Sequence, residues 1–210
     1  MRKPVIAIFL AVSCSLFAQA PAPKDLAQNL GFTYDLAPDW TVVEAKPSSR
    51  VVDTQPAQAP ATEELKKGTA CIQVALTAMR GSPSSVIVVI ALPFDCYGQV
   101  MADQDLEGFG SGAADSLKED FDLTDPVFGV YSLGTHRLWI ERAKGNMKGH
   151  PETQSTVEIA CSILQRGAVC WMTMAAEEAA LRAFERGRVT LDGETATPLV
   201  PSNAFDKAPS

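Results

Sequence analysis

The chain is 210 residues long, 46% hydrophobic and 20% charged, with 18 Lys+Arg against 25 Asp+Glu for a net charge of −7. That length supports one sizeable core, so a single globular unit with extensions is expected. The acidic balance argues against nucleic acid and acidic membrane surfaces as partners, because both require a basic patch that displaces counterions.

Residues 1–20 read as an export signal. Arg2 and Lys3 form a basic start, an apolar run begins at Val5, and "AQA" at 18–20 is a small-residue cleavage pattern. The run is broken at Ser13, Ser15 and Gln19, short of the roughly 20 apolar residues that a membrane span needs. Cleavage after Ala18 or Ala20 gives a periplasmic or secreted protein. The alternative acylates Cys14 in "LAVSC" and leaves a lipid-anchored envelope protein.

A proline-punctuated lead covers 21–30. The globular domain then extends over 31–192, and it begins with Phe32 and Tyr34 alternating with Thr33 and Asp35. A break at Pro38 separates this strand from "WTVV" at 40–43. Residues 46–67 are rich in proline, alanine and small polar residues and read as an exposed loop.

A hairpin follows. "TACIQVALTAM" alternates, "RGSPSS" turns the chain, and "VIVVIAL" at 86–92 is apolar at every position. A strand that short and that apolar is covered on both faces, so a layer is expected on each side of the sheet. Two helical patterns are candidates for those layers. One runs through Leu106, Phe109, Ala113, Leu117 and Phe121, the other through Ala180, Leu181, Phe184 and Leu191. Because Gly108, Gly110 and Gly112 each cost about 1 kcal/mol in a helix, the first helix is expected to begin near Ser111.

Four strand candidates lie between the helices: "VFGVYSL", "HRLWIERA", "TVEIACSIL" and "AVCWMTMA". The tail, 193–210, is expected to be disordered. This order predicts an α+β fold, an antiparallel sheet flanked by helices on both faces.

The early aromatic strand, "PDW", the apolar central strand, "GTHRLWIE" after a glycine turn, the long hairpin and the closing helix with its phenylalanine together resemble the PsbP-like α/β/α sandwich superfamily, DcrB-like exported proteins included. The resemblance implies a non-enzymatic accessory or binding module. It carries over no catalytic residues and no cofactor.

The cysteines allow a separate argument. If the turn places Leu164 opposite Gly167, Cys161 falls opposite Cys170, at the Cα spacing of about 4.5 Å that a non-hydrogen-bonded pair gives a disulfide. Pairing Met79 with Val86 likewise brings Cys71 near Cys96. An oxidising compartment makes bridges 71–96 and 161–170 the expected outcome, with buried free thiols or a functional thiol pair as the alternatives. No Cys-x-x-Cys or histidine pair supplies a metal site.

His136 and Glu141 point to opposite faces of a regular strand, which removes a catalytic pair. His150 reads as solvated. Asp103, Asp105, Asp115, Glu119 and Asp120 match no calcium loop. Trp139, with Arg137 and Glu141 on its face, is a candidate binding surface if exposed, and a core anchor if it packs beneath a helix. The first functional reading is an exported, non-enzymatic binding or assembly module for an envelope protein. A thiol-dependent redox enzyme or hydrolase, and a carrier with a pocket between sheet and helix, are the alternatives.

Overall fold

The structure is a computed structural model that describes residues 29–36, 38–43, 70–81, 84–133, 135–152, 154–176 and 188–196. Residues 1–20, expected to be an export signal, with Cys14 among them, and residues 46–67 lie outside the described residues.

The aromatic alternation at 32–35 and the β-branched run at 40–43 form two short strands, β1 (Phe32–Asp35) and β2 (Trp40–Val43). Next comes the hairpin of β3 (Gln73–Arg80) and β4 (Ser85–Pro93), with Met79 opposite Val86. A register shift between Val74 and Leu76 then sets Gln73 against Ala91. A helical turn, α1 (Phe94–Tyr97), closes on Gly98, and α2 (Leu106–Leu117) follows. The chain continues through β5 (Phe121–Leu133), β6 (His136–Met147), β7 (Ser155–Ile163) and β8 (Gly167–Ala175). It ends in β9 (Arg188–Leu191) and β10 (Glu194–Ala196).

The main sheet has seven antiparallel strands in the order β2-β3-β4-β8-β7-β6-β5. The chain builds one edge with β2 to β4, crosses to the far edge through α1 and α2, and returns by consecutive hairpins until β8 pairs with β4. That crossing lays α2 over one face.

The opposite face corrects the expected architecture. It is covered by a three-stranded antiparallel sheet, β1-β9-β10, so helices do not flank both faces and the α/β/α sandwich does not hold. The covering strands bring Phe32, Val189 and Leu191 onto Ile87, Val89, Ile140, Val169 and Trp171. The Phe32 and Trp171 rings lie 5.3 Å apart. The physical requirement was met by another element: β4 does need an apolar layer on each side, and a small sheet with one apolar face supplies it as well as a helix does. Of the second helical pattern, 177–187 lies outside the described residues, and Leu191, assigned to that helix, belongs to β9. Residues 194–196 of the supposedly disordered tail form β10.

Helix α2 starts earlier than the glycines suggested. A 3-10 turn at Asp103–Asp105 leads into it at Leu106, and Asp105 accepts the Ala102 N–H at 2.8 Å. Phe121, read as its last apolar position, opens β5 instead. Leu106, Gly110 and Ala114 form its buried stripe. The packing explains Gly110, since a Cβ there would run into Cδ2 and Cε3 of Trp139. Gly108 and Gly112 have open space around them. Urea denaturation is expected to show Gly110→Ala losing about 1 to 3 kcal/mol through overpacking. Gly108→Ala and Gly112→Ala should each gain about 0.5 to 1 kcal/mol.

Candidate functional site

Both cysteine pairs are disulfide-bonded, Cys71 to Cys96 and Cys161 to Cys170. Cys161 and Cys170 face each other on β7 and β8 with Cα atoms 4.1 Å apart, and Leu164 N–H donates to the Gly167 carbonyl at 2.8 Å to fix the turn. This bridge lies beneath α2, with Leu106, Ala114 and Trp139 around it, and its cysteines are 0% and 1% exposed. It is structural.

The second bridge occupies a different setting. Cys71 is buried, whereas Cys96 on α1 is exposed and lines an open groove of about 680 Å³. Four stretches of the chain meet there. Asn29 and Leu30 precede β1, Gln73 begins β3, Pro93 ends β4, Phe94, Asp95 and Cys96 belong to α1, and Arg166 sits in the β7–β8 turn.

Local bonds hold this convergence in place. Phe94 N–H donates to the Arg166 carbonyl at 3.0 Å, and Gly98, at φ 76°, caps α1 by donating to the Phe94 carbonyl at 2.7 Å. Cys96 N–H donates to Asp95 Oδ1 at 2.8 Å, and Arg166 Nη1 donates to the Asn29 carbonyl at 3.3 Å. Asp192, in the β9–β10 turn, accepts the Gln165 N–H at 3.1 Å. The β7–β8 turn is thereby tied to the covering sheet. The groove thus combines apolar walls of Leu30, Pro93 and Phe94 with one carboxylate, one guanidinium and two amides.

A polar row crosses the opposite face of the sheet from the buried disulfide. Arg142 on β6, Glu158 on β7 and Thr173 on β8 are consecutive cross-strand partners. Arg142 donates to Glu158 Oε2 from Nη2 at 2.8 Å and from Nε at 3.1 Å. Glu158 is 1% exposed. Burial pushes its carboxyl up to about 7, and the Arg142 guanidinium opposes that rise. Among the described residues Glu158 Oε1 and Thr173 Oγ1 find no hydrogen-bond partner. Burial also raises the Tyr131 phenol, with Arg142 lowering it and Glu158 adding to the rise.

The remaining sequence candidates are dispersed. Trp139 is 1% exposed, stacked at 6.4 Å on Phe128 and covered by α2. Arg137 is exposed and Glu141 half-buried. Burial raises the Glu141 carboxyl, Lys118 lowers it and Asp115 adds to the rise. His136 lies 3.8 Å from Glu194, on the face opposite Glu141, and His150 lies 3.2 Å from Glu152. Asp115 pairs with Lys118 at 2.6 Å. Among the described residues no group of three His, Cys, Asp or Glu side chains could hold a metal ion.

Sequence reasoning missed the groove except for Cys96. Its walls come from positions far apart in the chain, and the "QRG" turn and the cysteine were the two local signals. No family model matches the chain, and no curated protein matches it either. Fold and site define a disulfide-stapled β-sheet protein with one helical and one sheet cover.

Proposed function

We propose that the protein is an exported, non-enzymatic binding module that holds a partner segment or small ligand in the groove beside Cys71–Cys96. The groove itself carries this reading. Its volume of about 680 Å³ falls in the range of roughly 300 to 1,000 Å³ typical of ligand sites. A few polar groups converge on apolar walls, as such sites require. Two disulfides suit an oxidising compartment outside the cytosol. Between α2 and the sheet the space amounts to about 10 Å³, room for one water, so a carrier with its pocket there is not favoured. The thiol-enzyme reading loses support as well, because Cys161 and Cys170 are bonded and sealed under α2. One of the features behind the PsbP-like resemblance was a closing helix expected through Ala180, Leu181, Phe184 and Leu191; residues 177–187 lie outside the described residues and Leu191 belongs to β9.

The test is capture from an envelope extract by the intact protein and by an Asp95→Lys, Arg166→Glu variant with an unchanged melting temperature. A partner or ligand held by the first and lost by the second is the expected result. Equal capture by both removes the groove from the function.

A further inference from the structure

Hydrogen bonds join three of the groove's four stretches. Phe94 N–H on the Arg166 carbonyl ties α1 to the β7–β8 turn, and Arg166 Nη1 on the Asn29 carbonyl ties that turn to the lead into β1. The fourth stretch, at Gln73, is fastened to α1 by Cys71–Cys96, whose Cα atoms lie 5.7 Å apart. Little else holds it. The ladder with β4 begins only at Gln73 and slips between Val74 and Leu76, and among the described residues β2 reaches no nearer than Thr77. The two sulfur atoms are unequally placed. Cys71 is 4% exposed and packed with Leu92, Phe94 and Ala168, whereas Cys96 is exposed on the groove wall. That wall, α1, is a single turn of four residues with no side-chain cap, and one turn has no stability of its own.

We propose that Cys71–Cys96 is a redox latch on the groove, opened and closed by thiol–disulfide exchange with an external dithiol. One thiolate of the dithiol attacks Cys96 Sγ, the sulfur it can reach. A bond forms between the two, the Cys71–Cys96 bond breaks, and its electron pair leaves on Cys71, which takes a proton from solvent. The second thiol of the reagent gives up its proton and displaces Cys96, which is protonated in turn. The protein has gained two electrons and two protons, and the dithiol leaves as its disulfide. Opening frees the Gln73 wall from the α1 wall. Phe94 stays packed on Ala168 and bonded to the turn, and Cys161–Cys170 stays sealed under α2, so the groove loses its shape while the fold persists. A disulfide change at such a joint acts as a local packing switch. Release of an occupant rests on the groove reading above; the opening itself does not.

The full chain is incubated at neutral pH in glutathione, two molecules of which replace the dithiol, and its thiols are mapped by mass. It is expected to carry thiols at Cys71 and Cys96 alone while still folded, whereas structural bridges resist this reagent. In that form amide exchange at Gln73 and Val74 should be about tenfold faster or more, as local opening requires, with β7 and β8 unchanged. Oxidised glutathione should restore the bridge and the protection. Cys71→Ser with Cys96→Ser should show the fast exchange without any reductant. A bridge that glutathione leaves closed in the folded protein, an opening that unfolds the whole chain, or exchange at Gln73 that ignores the bridge would each overturn the proposal. An occupant held by the reduced form as well as by the oxidised one would do the same. Faster exchange with nothing captured by either form would sink the groove reading and leave the latch standing.

Discussion

Replacing Arg142 with methionine is expected to cost about 3 to 5 kcal/mol in urea unfolding at pH 8, the usual penalty for stranding one partner of a buried ion pair. Glu158 is 1% exposed, and both of its charge-assisted bonds come from that guanidinium. At pH 5 the loss should shrink, because the orphaned carboxyl escapes the penalty by keeping its proton. Replacing both residues, Arg142→Met with Glu158→Leu, should restore most of the stability, since an apolar pair of similar volume needs no desolvated charge.

The same carboxyl sets a pH dependence in the wild-type protein. Glu158 titrates near 7 when folded and at the ordinary value near 4.5 when unfolded. Between those limits the native state keeps a proton that the unfolded chain releases, so stability falls as pH rises. The contribution is fully present below about pH 4.5 and gone above about pH 7, on the order of 3 kcal/mol in all. Unfolding curves at pH 5 and pH 8 measure it, and Glu158→Gln should remove that part of the slope. A wild-type protein as stable at pH 8 as at pH 5, once other titrations are subtracted with that variant, would contradict the burial argument.

The second large effect concerns sulfur. Mild reductant is expected to release two thiols first, those of Cys71 and Cys96, and to leave Cys161–Cys170 intact until the protein unfolds. Exchange requires an attacking thiolate to reach a sulfur atom. Cys96 is exposed at the groove, whereas Cys161 and Cys170 lie under α2. Opening the latter demands local unfolding, and each 1.4 kcal/mol of opening slows attack about tenfold. Thiol counting with mass mapping over a reductant series tests the order. Loss of the first bridge should lower stability by roughly 3 kcal/mol through its 25-residue separation, and loss of the second by slightly less through its separation of nine.

Much of the sheet could be read from period-two patterns. Met79 opposite Val86 and Cys161 opposite Cys170 followed from turn positions alone, because a hairpin turn fixes the pairs behind it until a bulge intervenes, as one does between Val74 and Leu76. Local signals could not reveal what covered the second face, since an apolar strand states that it is buried and not by what. Glu158 shows a related gap. In "TVEIAC" it alternates with Val157 and Ile159 as a solvent-facing residue would, yet a sheet covered on both sides has no wet face. Its burial was implicit in the argument made from β4. The early start of α2 escaped because propensity counts the cost of Gly110 and not the Trp139 ring that fills the space it leaves.

The covering sheet also orders events in time. β1 pairs with β9 through Phe32 and Leu191, a contact across about three quarters of the chain, while β5 to β8 are joined by neighbouring hairpins. Short-range pairings form quickly and distant ones slowly, because closing a long loop costs entropy before any contact rewards it. A chain emerging from its amino terminus can therefore assemble the hairpin meander while Trp171 still faces water. Closure over that ring waits until residues 188–191 arrive, within about the last ninth of the chain.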